Sequence, residues 1–353
     1  MLLNSSIYME DLDAASRSIL QWDKLKGKSI LITGACGLIC SCLVDIIMYR
    51  NEHFGDDINV YALCRGWEAS KNRFPSYFSS GLFNVVNQDV CDEINLDAGV
   101  DYIIHGASHA HPVVFANDPV GTMMTNFYGM HNILQFARKN NCCRVLFISS
   151  GEVYGEMSGS MAPFAEAYSG HVDPMDVRSC YPSSKRAAET LCVSFASQYD
   201  VDVVVARLSH VYGPNMKNTD SRAIASFIRD AAAGRDIVMK SQGTQVRGYC
   251  YVVDAASAIL TIMFSGKCCD AYNVSDRKSV ISVRDMARLV AKCGKTKLVV
   301  SEPSELEKTG YTPVVRQVLD SSKLEALGWT ARTHIKDGIS KTLNIFKEVS
   351  GYK

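Results

Sequence analysis

The sequence SILITGACGLICSCLVDIIMYR, residues 29–50, joins an apolar β-branched run to a helical pattern through two glycines, Gly34 and Gly37. Gly34 permits a tight turn, Gly37 lets the backbone approach a pyrophosphate, and a helix N-terminus directs its amides at the phosphates. Cys40 takes the third glycine position, which serves helix packing and supplies no phosphate donor. The pattern predicts a dinucleotide cradle, with a glycine turn that holds no ligand as the alternative. Its other contact residues would be Cys36, Leu38 and Ile39.

Strand-like apolar runs recur along the first two thirds of the chain, with helical segments between several of them. They lie at residues 29–33, 59–64, 83–87, 101–107, 144–149 and 201–207. This alternation predicts an α/β fold with a Rossmann-type, doubly wound parallel sheet, whose ligands bind beyond the strand C-termini.

Three parts of the chain are expected from the same pattern. Residues 1–27 would form a helical extension, with an amphipathic helix over 8–25 that packs on the outside of the core. Residues 28–212 would form the dinucleotide-binding domain with the catalytic residues. Residues 213–353, where the pattern becomes irregular, would form a smaller C-terminal substrate-binding lobe, with some chain crossing back to the sheet.

Composition excludes several partner classes. The 353 residues carry 37 basic and 37 acidic side chains, so we expect neither nucleic acid nor an anionic membrane as partner. The N-terminus lacks the pattern of a secretory signal, and no stretch approaches a membrane span. Thirteen scattered cysteines favour a reducing, cytoplasmic setting. No metal is expected, because neither Cys36, Cys40 and Cys42 nor His105, His109 and His111 has a completing ligand at the usual spacing.

The choice between NAD and NADP stays open at this stage. A carboxylate usually ends the second strand and holds the ribose, but here Cys64 and Arg65 stand there. Arg65 would suit a 2′-phosphate. Asp89, after the third strand, is placed to accept a hydrogen bond from an adenine amine, although a turn aspartate is an equal alternative.

Two stretches carry the chemistry. ISSGEVYG, residues 148–155, follows a strand and presents Ser150, and YPSSK places Tyr181 and Lys185 four residues apart, on one face if helical. A tyrosine beside a fixed cation has its phenolate favoured, so Tyr181 could remove a proton from a sugar hydroxyl while Ser150 hydrogen-bonds the same oxygen. An exposed helical pair is the alternative for Tyr181 and Lys185.

With these motifs, the chain resembles the extended short-chain dehydrogenases/reductases that act on nucleotide sugars as epimerases, dehydratases and decarboxylases. Further matching stretches include ARLSHVYGP (206–214) and GTQVRGYCYVVDAA (243–256). HGASHAHPVVFANDPVGTMMTN (105–126) and RSCYPSSKRAAET (178–190) are most similar to the UDP-glucuronate decarboxylases.

The resemblance implies a set of roles. Ser150, Glu152, Tyr181 and Lys185 would take the catalytic positions. The cofactor, NAD with NADP as alternative, would also meet Val90, Gly106, Ala107, Ser108 and Asn126, with His105 lining its site and Asn126 supporting the active-site helix. A nucleotide-sugar substrate would meet Glu152, His109, His210, Arg222, Arg247 and Arg316. A homodimer formed through paired helices is also implied.

The implied mechanism is a transient oxidation at sugar C4. Tyr181 takes the C4 hydroxyl proton while hydride passes to the nicotinamide, and a 4-keto sugar with a C5 carboxylate then loses carbon dioxide. Gly151 stands where the dehydratases have an acid, which disfavours dehydration, and His210 replaces an asparagine. We therefore predict decarboxylation of a nucleoside-diphosphate uronic acid. The alternatives are a 4-epimerase, an NADPH-dependent keto-sugar reductase and a non-catalytic dinucleotide-binding regulator.

Overall fold

A seven-stranded parallel sheet forms the centre of the molecule. The computed structural model describes residues 1–19, 21–110, 112–156, 162–301 and 315–349. The sheet has the strand order β10-β6-β5-β4-β1-β2-β3 and all of its pairings are parallel. Its strands are β1 (Ser29–Thr33), β2 (Asn59–Cys64), β3 (Phe83–Asn87), β4 (Tyr102–His105), β5 (Arg144–Ser150), β6 (Val203–Leu208) and β10 (Asp270–Val274). The predicted doubly wound sheet is confirmed.

Helices cover both faces of this sheet, which explains why its central strands are mainly apolar. Along β1, Ile30 and Ile32 join one buried cluster and Leu31 joins the other, because successive side chains of a strand point to opposite faces. The first half of the chain contains helices α1 (Ser6–Ser18), α2 (Leu38–Phe54), α3 (Trp67–Arg73), α4 (Pro112–Asn117), α5 (Pro119–Lys139) and α6 (Cys180–Tyr199). Helices α5 and α6 pack against each other on the face of Leu31.

The N-terminal extension is part of the core rather than an outer layer. Tyr8 and Leu12 of α1 are fully buried, and the Tyr8 hydroxyl donates to Asp45 of α2 at 2.7 Å. The prediction of a helix as far as residue 25 was wrong. Helix α1 ends at Ser18, because the backbone becomes extended at Ile19. The Trp22 indole N–H then donates to the Ser16 carbonyl at 2.7 Å and satisfies an acceptor in the last turn of the helix.

The second half of the chain supplies two small sheets beside the C-terminal edge of the large one. Strand β9 (Val246–Tyr251) pairs with β7 (His210–Tyr212), β11 (Val280–Ser282) and β13 (Arg316–Gln317), and β8 (Ile237–Met239) pairs with β12 (Leu298–Val300). The helices here are α7 (Ala223–Ala232), α8 (Val252–Ser265), α9 (Val283–Gly294), α10 (Ser322–Glu325) and α11 (Ile335–Glu348). Since β7 follows β6 directly, residues of the small sheet face the ends of β5 and β6. None of the helices in the described ranges is both long and apolar enough to cross a membrane.

Candidate active site

The glycine turn between β1 and α2 is interlocked with the loop after β4. Gly34 has a φ of +66°, and a Cβ at this position would stand 2.8 Å from Cα of Ala107. A Cβ on Gly106 would stand 2.3 Å from the Cys40 sulfur. Cys40 therefore fills the space above Gly106, which accounts for a thiol at the third position of the fingerprint. Gly37 donates its amide to the Gly34 carbonyl at 2.8 Å and caps α2.

Beneath this turn, Thr33 and His105 join the ends of β1 and β4. The Thr33 hydroxyl lies 2.7 Å from Nδ1 of His105 and accepts from the amides of Gly106 and Ala107 at 3.2 Å each. His105 was expected to line the cofactor site, and that prediction was wrong. Its ring is fully buried against Phe147, and burial lowers its pKa to about 3, so it stays neutral as a support.

Arg65, Asp89 and His109 form an exposed cluster at the far end of the cradle. The Arg65 guanidinium pairs with the Asp89 carboxylate at 3.3 Å and lies 3.1 Å from Nε2 of His109. Asp89 also accepts the Cys91 amide at 2.9 Å, and these donors hold the pKa of its carboxyl below the usual value against partial burial. His109 was predicted to meet substrate. The structure places it against Arg65 instead, outside the lining of the central cavity.

Asn126 connects the loop after β4 to the active-site helix. Its amide nitrogen donates to the Ser184 hydroxyl at 2.9 Å, and its carbonyl oxygen accepts from the Ser108 hydroxyl at 2.7 Å. Because Asn126 is fully buried and both ends of its amide are engaged, it acts as a support rather than as a cofactor contact. Val90 is likewise buried, and it packs beneath Gly129 of α5.

The catalytic residues predicted from the sequence lie together on one cavity of about 1130 Å³. Ser150 ends β5, and Tyr181 and Lys185 lie on one face of α6, as the four-residue spacing predicts. Ile39, Gly106 and Ser108 line the same space, so the cofactor turn opens directly into it.

Lys185 is a buried cation. Its ammonium donates to the Ile148 carbonyl at 2.9 Å and lies 4.6 Å from the centre of the Phe147 ring. Burial lowers the pKa of Lys185 to about 7, opposed chiefly by the charge of Glu189. The nearby positive charge was expected to favour the phenolate of Tyr181.

For Tyr181 that expectation was wrong. Burial first, and then the negative charge of Glu152, raise its pKa, while a hydrogen bond with Ser150 lowers it. The Lys185 ammonium lies 5.8 Å from the centre of the Tyr181 ring. Ser150 is therefore the neighbour that most favours the phenolate in this protein, and any further lowering of the pKa must come from charge brought in with ligands.

Sequence reasoning missed Arg178 and Phe115, which contact the predicted catalytic residues Glu152 and Tyr181. Arg178 pairs with the Glu152 carboxylate at 2.9 Å, and its guanidinium lies 4.9 Å from the centre of the Phe115 ring. Phe115 in turn stacks on Tyr181 with ring centres 4.5 Å apart. Arg178 could have been found from its place three residues before Tyr181 in the RSCYPSSK stretch.

The opposite wall of the cavity is basic. Arg247 on β9 is 4% exposed and donates to the backbone carbonyl of Val246 at 3.0 Å. Arg222 is fixed by a two-point pair with Asp220, at 2.6 Å for the closer contact. His210 lines the same cavity, and burial together with the charges of both arginines lowers its pKa to about 3, so it is neutral near pH 7.

Arg316, the remaining predicted substrate residue, does not line this cavity. The neighbouring Gln317 does, because successive side chains of β13 point to opposite faces. His111, one of the three histidines considered for a metal, lies outside the described residues. Among the described residues, no three ligating side chains are gathered in a group that could hold a metal ion.

The arrangement fits a bound dinucleotide. Gly34 and Gly106 are pressed so closely against Ala107 and Cys40 that any added Cβ would collide, which keeps the floor of the cradle free of side chains. The seventeen-residue helix α2 begins at this floor and supplies the amides of its first turn. Lys185 and Tyr181 stand where the cradle meets the cavity. The turn, Lys185 and Tyr181 are therefore the residues that would hold NAD.

Comparison with known proteins agrees with this geometry. Residues 30–275 match the profile of the NAD dependent epimerase/dehydratase family. UDP-glucuronic acid decarboxylase 6 of Arabidopsis thaliana is 31% identical over 310 residues, which is 88% of this chain and 86% of that protein. UDP-glucuronic acid decarboxylase 1 of Xenopus tropicalis is 30% identical and covers 91% of this chain and 72% of that protein.

Solved structures share the fold. The UDP-glucose 4-epimerase of Thermotoga maritima, solved with UDP-glucose, superposes with a TM-score of 0.79 at 22% identity, covering 92% of this chain and 100% of that one. A dTDP-glucose 4,6-dehydratase of Streptomyces venezuelae, solved with NAD, gives a TM-score of 0.79 at 21% identity and covers 92% and 98% of the two chains.

Proposed function

Because the chain belongs to the NAD dependent epimerase/dehydratase family, we propose that it is a nucleotide-sugar decarboxylase that removes the carboxylate of a UDP-glucuronate-like uronic acid. The observation that carries this proposal is the Glu152–Arg178 pair, held at 2.9 Å in the cavity that also contains Ser150, Tyr181 and Lys185. Oxidation at C4 needs only the last three residues. The carboxylate of Glu152 and the guanidinium of Arg178 beside them would serve a step at the neighbouring carbon C5.

The proposed reaction uses these residues in order. Tyr181 takes the proton of the C4 hydroxyl, and Ser150 hydrogen-bonds the same oxygen, which favours the phenolate. Reversible hydride transfer at C4 is the chemistry that NAD would supply when bound. The resulting C5 carboxylate is a β-keto acid. The bond from C5 to its carboxyl carbon breaks, carbon dioxide leaves, and the electron pair moves to the C4 oxygen as an enolate.

Completion of the cycle needs a proton at C5 and a proton on the C4 oxygen. We place Glu152 on the C5 side, where Arg178 fixes its orientation and its carboxylate would hold the water that delivers a solvent proton to C5, while Tyr181 returns its proton to the C4 oxygen. The net change replaces the carboxylate by hydrogen and consumes one proton. NAD is therefore not consumed, which distinguishes this reaction from that of an NADPH-dependent reductase.

The charge of the cavity suits a substrate with several negative groups. Arg247 and Arg222 form one wall and Arg178 stands near Glu152, so the cavity offers cationic groups for both a diphosphate and a sugar carboxylate. Arg65 lies outside this cavity and is paired with Asp89, which supports NAD over NADP, since a 2′-phosphate would have to compete with that carboxylate.

We further propose that the protein is a cytoplasmic homodimer. In each subunit, residues 28–212 would bind the dinucleotide and residues 213–353 would bind substrate, as expected from the sequence. Helix α5 exposes several large apolar side chains, which supports dimerisation through paired helices. They are Val120, Met123, Met124, Phe127 and Tyr128. All thirteen cysteines are free, which supports a reducing compartment.

The test is to incubate the purified protein with NAD and, separately, with UDP-glucuronate and UDP-glucose, and to identify the products by mass spectrometry and NMR. A UDP-pentose formed from the uronate alone supports the proposal. An unchanged mass with inverted C4 stereochemistry would make the protein a 4-epimerase, the function of a structural neighbour, and would overturn decarboxylation. Bound cofactor with no product from either sugar would support a non-catalytic regulator.

A further inference from the structure

Two thiols meet at the point where the cofactor turn touches the second strand. Cys36 lies inside the turn between Gly34 and Gly37, and Cys64 is the last residue of β2. The turn is tied to this strand, because the Ala35 amide donates to the Leu63 carbonyl at 3.1 Å. Cys36 and Cys64 follow these two residues directly, so their side chains emerge next to each other.

The contacts of the two sulfurs define a dithiol pair. The Cys64 sulfur lies 2.7 Å from the Ser70 hydroxyl and the Cys36 sulfur lies 4.0 Å from the same oxygen. Both sulfurs therefore lie around the one Ser70 hydroxyl. A disulfide needs its two cysteines to lie close together, and both of these sulfurs lie at one hydroxyl beside the bonded backbones of the turn and β2.

We propose that Cys36 and Cys64 are a redox modification site, in which peroxide joins the two thiols as a disulfide that closes the dinucleotide cradle. A disulfide between these positions would fix the turn against the end of β2. The turn must admit a pyrophosphate, and the end of β2 is where the adenosine ribose is held in this fold. Oxidation and cofactor binding would therefore exclude each other. This inference rests on the dinucleotide site and not on the identity of the sugar.

The chemistry of the pair is asymmetric. Interaction with Cys36, together with the Ser70 hydroxyl, lowers the pKa of the Cys64 thiol to about 7 against its burial, whereas interaction with Cys64 and burial raise the pKa of Cys36. Cys64 is therefore the better nucleophile near neutral pH, as the thiolate is the reactive form. Cys36 is half-buried and Cys64 is buried, so a small oxidant would approach from the side of Cys36.

The reaction balances with hydrogen peroxide as the oxidant. The Cys64 thiolate attacks one peroxide oxygen, the O–O bond breaks, and a sulfenic acid forms as water leaves with one proton from solvent. The Cys36 sulfur then attacks the sulfenic sulfur and displaces a second water, with the thiol proton leaving on that water. Two thiols and one peroxide become one disulfide and two waters. A dithiol reductant reverses the change by exchange.

The other thiols provide matched controls. Cys40 is buried against Gly106 and burial raises its pKa to about 12, so it is unreactive although it is near the turn. Cys143 is exposed and lies before β5, away from the cradle. A Cys143→Ser variant therefore removes an accessible thiol without touching the pair.

The experiment treats the whole protein with hydrogen peroxide, maps disulfides by peptide mass spectrometry, and measures NAD binding by calorimetry before and after dithiothreitol. We expect a Cys36–Cys64 linkage, at least tenfold weaker NAD binding after oxidation, and recovery after reduction. Because bound NAD and the disulfide would exclude each other, only the NAD-free protein reacts, and NAD at ten times its dissociation constant should slow disulfide formation about tenfold. Cys36→Ser and Cys64→Ser should each keep the same NAD affinity, within twofold, before and after peroxide. Cys143→Ser should behave like the wild type.

Three results would overturn the proposal: no Cys36–Cys64 linkage under native conditions, a linked protein that binds NAD as tightly as the reduced one, or a rate of linkage that NAD does not change. Either serine variant suffices for the comparison, so one that fails to fold does not remove the test. Since each variant is compared with itself, an altered basal affinity does not matter. A failure of the sugar reaction would leave all of these measurements intact.

Discussion

Lys185 should make the free energy of unfolding of this protein rise with pH above about pH 7, and the Lys185→Met substitution should remove this contribution. Its ammonium is buried, donates to the Ile148 carbonyl and has its pKa lowered to about 7, with burial as the main cause. In the unfolded chain the same lysine keeps its proton up to about pH 10. Between these values the unfolded state binds more protons than the folded state, so stability rises with pH and is lost as pH falls towards 7.

The magnitude follows from the two pKa values of Lys185. From about pH 7 to about pH 9, this one group should raise the free energy of unfolding by about 2 kcal/mol. Lys185→Met lacks the titration, so the wild type should gain about 2 kcal/mol over the variant across this interval. At about pH 7, K185M should be at least as stable as the wild type, because burying a charged group costs free energy that a buried methionine does not. The variant should nevertheless lose the sugar reaction.

Urea denaturation of both proteins, at about pH 7, 8 and 9, checks this prediction, since other titrating groups cancel in the difference. Lys26→Met, at an exposed lysine, is the control, and its difference from the wild type should stay constant. If the free energy of unfolding of the wild type minus that of K185M stayed constant with pH, the argument would be refuted, because burial would then not lower the pKa of Lys185. A decrease of this difference as pH rises would refute the argument more strongly.

Three further predictions test the site, the cradle and the assembly. Arg178→Met and Glu152→Gln should each lower kcat/KM for the uronate. In the double variant the two losses should differ from additivity by about 1–2 kcal/mol, because the paired side chains are only about one third exposed. Additive losses would show that Arg178 does not act through Glu152. Gly34→Ala should weaken NAD binding, measured by calorimetry, at least tenfold and lower the free energy of unfolding by about 2–4 kcal/mol. The reasons are the positive φ of Gly34 and the 2.8 Å approach of an added Cβ to the backbone of Ala107. An unchanged affinity for NAD would contradict the proposed cradle. Phe127→Glu on the exposed face of α5 should convert a dimer to a monomer in light scattering, and an unchanged mass would contradict the paired-helix dimer.

The inner part of the sheet could be predicted from the sequence because its strands are apolar on both faces. The runs at 29–33, 59–64 and 83–87 coincide with β1, β2 and β3. Strand β10 was not singled out. Its sequence DAYNV mixes polar and apolar residues, as is expected at a sheet edge, and β10 pairs only with β6 in the described sheet.

The placement of Ser150 and Tyr181 on one cavity could be predicted because the two motifs themselves carry these residues. Their electrostatics could not be, because the pKa of Tyr181 depends on burial and on Glu152, both set by tertiary packing. Arg178 was missed because its partner, Glu152, lies on another element. His105 was misplaced because a polar residue at a strand end is either a ligand contact or a buried support, and only the structure shows its bond to Thr33.

Release of carbon dioxide from UDP-glucuronate labelled in its carboxyl group tests the central claim most directly. With NAD present in much smaller amount than the sugar, the wild type should release the label from nearly all of the substrate, because the hydride of C4 returns in every cycle. Tyr181→Phe should slow this release by about a hundredfold or more. Two results would contradict a decarboxylase that regenerates its cofactor. One is a release of labelled carbon dioxide that stops when it equals the NAD supplied, and the other is no release while C4 of the sugar is inverted.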